Sequence, residues 1–173
     1  VGDVDLTVEV APTAQKIAEL EFPWDDKLWN VFVTSACTTN DICGRLIGAK
    51  YSDALDKLLI EIEMSMMTKR DRPGEILKNH IYLTSISECY HRIKVVETSG
   101  QQAKCICIDN GDYEWINYED IFICKQEFLT VAPQAFKLSV FGLESFENDP
   151  NVAQQQIFEP LVFKSLVGEV MHD

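Results

Sequence analysis

The chain has 173 residues, of which 46% are apolar and 25% charged, and its 28 acids against 15 bases leave a formal charge of −13. Roughly 70% of the unfolded surface can be buried at this length, so one domain or two closely packed small ones are expected, with no low-complexity run to suggest disorder. Such a charge repels phosphate backbones and attracts arginine-bearing segments, which argues against direct nucleic-acid binding; the plainer alternative is that acidity serves solubility.

No apolar run approaches the roughly 20 residues that span a bilayer, and the opening VGDVDLTVEV lacks the basic-then-apolar order of a signal peptide. No membrane association is expected, and a chain beginning on Val reads as a piece of something longer. Six cysteines, at 37, 43, 89, 105, 107 and 124, lie in or beside apolar strand-like runs. They read as buried small hydrophobes in a reducing compartment, not as a disulfide framework. No CxxC pair or zinc-spaced His pair is present, so neither a metal nor another cofactor is expected.

In chain order, Val4, Leu6, Val8 and Val10 alternate as a strand, and Ile17, Leu20 and Glu21 suggest a short helix stopped by Pro23. Trp29, Val31 and Val33 alternate into a strand, residues 37–41 make a polar turn, and residues 42–47 return antiparallel. Ser52 is the expected N-cap of a helix over 53–68, where Leu55, Leu58, Leu59, Ile62 and Met66 recur at three- and four-residue spacing. Lys69 and Arg70 suit its C-terminus, and Pro73-Gly74 ends it.

Strand-like runs follow at 80–84, 91–96, 104–108, 114–116 and 121–124, at the spacing of a small barrel. The densest signal is in residues 90–120, YHRIKVVETSGQQAKCICIDNGDYEWINYED. There the runs around Val95-Val96 and Cys105-Ile106-Cys107-Ile108 flank a tight Asp109-Asn110-Gly111-Asp112 turn, with Asn110 and Gly111 tolerating positive φ. A last strand is expected over 134–143, and Asp149-Pro150 is a helix start, N-cap then first-turn proline, for a helix running toward Pro160.

The lead-in Tyr90-His91-Arg92 and the closing Ile108-Asp109-Asn110-Gly111-Asp112 resemble the Tudor family, whose pattern is approximately Trp-Tyr-Arg-Ala, a strand, then Asp-Tyr-Gly-Asn. Residues 29–48, WNVFVTSACTTNDICGRLIG, look like the strand pair opening an extended Tudor domain, and residues 132–143, APQAFKLSVFGL, look like its Pro-Gln-Ala return. The resemblance implies one extended Tudor domain over 1–173 with a mixed α/β, mostly β fold. A five-stranded Tudor barrel, 78–128, would be inserted in a staphylococcal-nuclease-like, OB-type subdomain made of 25–75 and 130–173, with helix 53–68 as the link.

Members of the family that read symmetric dimethylarginine use a cage of aromatic rings plus an Asn. Carried over by position, the cage falls on Ser85 or Ile86, His91, Cys107, Asn110 and Asp112, so that only His91 offers a ring. Asp109, Asp112, Glu114 and Glu88 are expected around the same mouth, where carboxylates could pair an unmodified guanidinium through two parallel hydrogen bonds. Tyr113 could rebuild a wall, whereas Trp115 reads as core. The plainer reading has Asp109 capping its turn and His91 as an ordinary strand residue.

No catalytic constellation is evident: the strand pair of the outer lobe, residues 29–48, offers Arg45 as its only arginine, and there is no GxSxG motif. The resemblance therefore implies a non-catalytic peptide-binding adaptor of the piRNA pathway in cytoplasmic, perinuclear germ granules. Its partner would be the arginine-rich N-terminal tail of a PIWI-clade Argonaute, bound without need of methylation. The alternatives are a dimethylarginine reader with a cage rearranged onto His91, Tyr113 and Trp115, or a self-associating scaffold with a vestigial site.

Overall fold

In the computed structural model, residues 14–38, 40–146 and 158–171 are described. The alternation at Trp29, Val31 and Val33 forms β1 (Leu28–Thr38), which buries these three side chains. It turns into β2 (Asp41–Leu46), antiparallel to it from Val31↔Leu46 to Thr38↔Asp41 with two register irregularities. Two short strands complete this sheet: β8 (Phe136–Leu138) on β2 and β9 (Ser165–Glu169) on β1, giving the order β8-β2-β1-β9.

Helix α1 (Ser52–Thr68) buries Leu55, Leu58, Ile62 and Met66 along one stripe, each worth about 2 kcal/mol of apolar burial. Tyr51, not Ser52, occupies the N-cap position; the Ser52 hydroxyl instead accepts the Gly48 N–H at 3.0 Å. At the other end Arg70 Nε donates to the Met66 carbonyl at 3.1 Å, satisfying an acceptor the helix leaves open.

The second sheet is β3 (Ile81–Ile86), β4 (Cys89–Ser99), β5 (Gln102–Cys107), β6 (Tyr113–Asn117) and β7 (Phe122–Ile123), in the order β6-β5-β4-β3-β7. Its two faces make two cores. Tyr82, Ile93, Val95, Ala103, Cys105, Cys107 and Ile121 fill the inside. Ile81, Leu83, Tyr90 and Phe122 face outward onto the buried stripe of α1.

Several expectations are corrected. Val95 and Val96 belong to β4, which reverses into β5 at Gly100 (φ +59); the Asp109–Asp112 turn joins β5 to β6, and there Gly111 (φ +89), not Asn110, takes the positive φ. Residues 14–23 contain no helix. Burial alternates instead, half-buried at Ala18, Leu20 and Phe22 and exposed at Glu19 and Glu21, the period of an extended strap. The strand expected over 134–143 is confined to β8. The helix expected toward Pro160 falls almost wholly outside the described residues; Phe158 is helical, a 3-10 turn follows at Glu159–Leu161, and then comes β9, for which no strand was expected. The strand at Val4 to Val10 and the helix start at Asp149-Pro150 lie outside the described residues.

Candidate functional site

Strand register decides which side chains share the barrel mouth. Ile93 pairs with Cys107 and Thr84 with His91, while Cys105 pairs with Glu114 and Ala103 with Ile116. Directly paired residues share a face, so Ile86, His91, Cys107 and Glu114 lie on the inner face with the barrel core, where Ile86 packs. Ser85 pairs with Tyr90 on the outer face, so of the two expected positions it is Ile86 that belongs to the mouth. Glu88 is exposed in the β3–β4 turn at φ +68.

The mouth is acidic. Desolvation, then the neighbouring Glu114 charge, raise the Asp112 carboxyl above its ordinary value, and the nearby His91 opposes that rise. Burial, followed by the Asp112 and Glu114 charges, pushes the Cys107 thiol up to about 12. Cys107 is 4% exposed and belongs to the barrel core, so it forms the floor beneath these carboxylates and stays an uncharged thiol. His91, Asp112 and Glu114 are thus brought together.

Asp109 is not brought to them. It is 6% exposed and holds the fully buried Arg92 in a two-bond pair: Nε to Oδ2 at 2.9 Å and Nη2 to Oδ1 at 2.6 Å. The other guanidinium N–H groups donate to the carbonyls of Phe128, Val131 and Ala132, and the Gln134 N–H donates to Asp109 Oδ1 at 3.1 Å. The carboxylate expected to receive a peptide guanidinium therefore already holds one from the chain itself. Register explains this: Arg92 alternates with Ile93 and so points to the outer face, toward residues 128–134. In the sequence, the hint was a cation in a strand between two barrel-core positions, His91 and Ile93; nothing local tied it to a carboxylate 17 residues away.

The rest of the turn is fixed to the four-stranded sheet. Thr34 Oγ1 donates to the Asn110 carbonyl at 2.5 Å, so Asn110 contributes its backbone here. A Cβ on Gly111 would stand 2.7 Å from Cys43 Sγ and 2.9 Å from Cys43 Cβ. Ala135 N–H donates to the Ile108 carbonyl at 3.1 Å. The turn is thus held from both sheets, and Asp112 projects from a rigid base.

Tyr113 and Trp115 pair with Ile106 and Lys104 and so lie on the outer face of β6, away from Glu114. The Lys104 ammonium sits 5.6 Å from the Tyr113 ring centre. Trp115 is 47% exposed, correcting its reading as core; β6 is the edge strand of its sheet. Among the described residues there is no cluster of three or more His, Cys, Asp or Glu able to hold a metal, and no helix long and apolar enough to cross a membrane.

A family model for the Tudor domain matches residues 25–142. The chain belongs to the Tudor domain family. Tudor domains are non-catalytic reader domains. Tudor domain-containing protein 7A of Danio rerio is 26% identical over 147 residues, covering 82% of this chain. The chain spans 13% of that relative's length.

Among solved structures, the extended Tudor domain of Drosophila melanogaster Papi, in complex with a Piwi N-terminal peptide in its me2s form, aligns at a TM-score of 0.74 and 20% identity. That match covers 85% of this chain and 77% of the Papi chain. The same domain with the unmethylated peptide aligns at 0.72. The third extended Tudor domain of mouse TDRD1, with a MILI peptide containing dimethylarginine, aligns at 0.74 and 17% identity, over 90% of this chain and 81% of that one. The fold of the described residues, mostly β with helix α1 and two antiparallel sheets, is that of extended Tudor domains.

Proposed function

We propose that this domain is a peptide-binding adaptor of the piRNA pathway that takes the arginine-rich N-terminal tail of a PIWI-clade Argonaute at the barrel mouth and does so without need of methylation. The observation that carries the reading is the meeting of Asp112, Glu114 and His91 over Cys107, two carboxylates with one imidazole. Ring faces attract a methylated guanidinium by about 0.5–2 kcal/mol per contact. A mouth with Ile86 and Cys107 at two ring positions has little of that energy to offer. Carboxylates favour the unmodified guanidinium, whose N–H groups methylation removes. Complexes of the Papi domain with both forms of a Piwi peptide support the partner class.

The domain would work in cytoplasmic, perinuclear germ granules. Its division into an outer, nuclease-like subdomain and a barrel follows the two sheets. A cage rearranged onto Tyr113 and Trp115 is disfavoured, since both lie on the face opposite Glu114.

Calorimetric titration with one PIWI-tail peptide, unmodified and symmetrically dimethylated, tests the proposal. Equal or tighter binding of the unmodified form is expected, and a Glu114→Gln/Asp112→Asn pair should weaken it. A tenfold preference for the methylated form, about 1.4 kcal/mol, overturns methylation independence.

A second reading, scaffolding by self-association, is favoured by β9: this edge strand is exposed throughout, with Val167 66% exposed and Phe163 beside it 73% exposed. An open apolar edge invites strand pairing with another copy. Sedimentation of the parent and of Val167→Lys tests it; a concentration-independent monomer for both refutes it.

A further inference from the structure

Helix α1 carries two apolar stripes. One, made of Leu55, Leu58, Ile62 and Met66, is buried against the outer face of the barrel. The other faces water: Ile60 is 60% exposed, Met64 66% and Met67 81%. On a helix these three fall within about 60° of one another, on the side opposite the buried stripe. Their spacing of four and then three residues continues back through the exposed Lys57 and Asp53, which is the heptad alternation of a helix seam. Apolar residues scattered singly over a surface need no explanation, but three in line on one helix face do, because a solvated face carries charge there. Met at two of the positions gives the seam a surface that adapts to what packs on it.

Charge indicates what covers the seam. Over residues 53–63 the helix has Asp53, Asp56, Glu61 and Glu63 against Lys57 alone, whereas just past its end Lys69, Arg70 and Arg72 outnumber Asp71. Arg70 and Arg72 lie over the Tyr90 and Phe122 rings, and the 72% exposed Lys69 side chain pairs with Asp71 at its own end, an exposed contact that costs little to share. Two such helices lying in the same direction would set acid against acid and base against base. Lying in opposite directions, they set the acidic half of each against the basic end of the other, and their macrodipoles also oppose.

We propose that α1 pairs antiparallel with α1 of a second copy of this chain, closing a two-fold dimer. Met64 meets its counterpart near the axis, Ile60 faces the other copy's Met67, and Asp53 and Asp56 face the other copy's segment 69–72. A contact of this kind uses the same patch on both copies and so ends at the dimer. The seam runs only about 20 Å, short of what the roughly 1,600 Å² of a standard interface requires. Association is therefore weak and matters where copies are concentrated. The proposal uses a different element from β9 and does not rest on peptide binding at the mouth.

Sedimentation equilibrium of the 173-residue chain from about 10 to about 500 µM reads the dimer. A monomer–dimer equilibrium is expected, weakened about tenfold or more by Met64→Glu, which sets two carboxylates together at the axis. Asp56→Lys and Lys69→Glu should each weaken it, and an equimolar mixture of the two should regain it, because each then faces its opposite charge. All three positions are exposed, and circular dichroism checks that the variants fold. Direction is read by a short bismaleimide in a Cys89→Ser background, with the joined residues mapped by mass: Met64→Cys should cross-link to itself and Asp53→Cys should not.

A monomer throughout the range overturns the proposal, as does a dimer unmoved by Met64→Glu or a mixture that regains nothing. Self-cross-linking of Asp53→Cys would mean parallel pairing and overturns it too. A dimer lost in Val167→Lys and kept in Met64→Glu would assign association to β9 instead.

Discussion

Asp109→Ala is the sharpest perturbation, because it asks whether this carboxylate serves the ligand or the fold. Arg92 is 1% exposed and all of its N–H donors are engaged, two with Asp109 and the rest with three carbonyls in residues 128–132. Truncating Asp109 leaves that guanidinium buried without a countercharge and strips the Gln134 N–H of its acceptor. Removing one partner of a buried pair costs about 3–5 kcal/mol, a large share of the roughly 5–15 kcal/mol that holds a typical domain. At about 2–4 °C per kcal/mol for chains of this size, Tm should fall by about 6–20 °C.

Asp109→Asn, which keeps an oxygen but no charge, should lose about 1.5–3 kcal/mol. Urea unfolding followed by circular dichroism measures both, read as a shift of midpoint at constant slope. A loss below about 1 kcal/mol for Asp109→Ala would refute the reasoning. So would an unchanged midpoint combined with lost peptide binding, which would return the residue to the ligand.

Other outcomes follow from the same geometry. Gly111→Ala, at φ +89 and facing Cys43 at 2.7 Å, should destabilise by about 1–3 kcal/mol in urea; no measurable change would mean the turn is not pinned to the four-stranded sheet. Asp112 is raised in the fold above 3.8, so the folded chain binds its proton the more tightly. Its contribution favours folding at acid pH and is lost as pH rises through the raised value; Asp112→Asn should flatten that slope in unfolding measured across pH. A bound guanidinium needs the ionised form, so affinity for an arginine peptide should weaken on acidification from a pH above 3.8, and titrations of Asp112→Asn should show a smaller dependence. Cys105, Cys107 and Cys124 have thiols pushed up to about 11, 12 and 12 by burial, whereas Cys89 is exposed; mass-mapped alkylation at pH 8 should mark Cys89 and spare those three while the chain is folded.

What was legible in the sequence was whatever has a short period. Leu55, Leu58, Ile62 and Met66 repeat at helical spacing and bury as expected, and the alternation through Trp29, Val31 and Val33 is a strand for the same reason. Where burial is not periodic the signal vanishes: β9 is exposed at every position, and Trp115 looks like core because an edge strand uses the same residues as a central one. At Ile17 and Leu20 a three-residue spacing suggested a helix, but tethers to Ile81, Leu129 and Tyr51 hold the segment extended. The site divides the same way. The Tudor resemblance, not spacing, implied that His91, Cys107 and Asp112 share one mouth. The partner of Asp109 lies across two strands and the ends of its guanidinium reach residues 128–132, a convergence no local pattern encodes.

One turn thus does two kinds of work with neighbouring carboxylates. Asp109, at its start, is desolvated and takes a guanidinium from its own chain, which fastens β4 to the segment leading into β8. Asp112, at its end, keeps solvent contact beside Glu114 and has no cation of the chain in a salt bridge with it among the described residues. Because the Asn110 carbonyl and Gly111 are seated against Thr34 and Cys43, Asp112 cannot drift far without unseating contacts with the four-stranded sheet. A ligand therefore meets a carboxylate already positioned, and little of the binding free energy goes into ordering it. It follows that loosening the Asp109 anchor should weaken peptide binding through the position of Asp112 even where the chain remains folded, with Asp109→Asn losing affinity at low temperature and Glu88→Gln, exposed in the β3–β4 turn and outside this network, losing little.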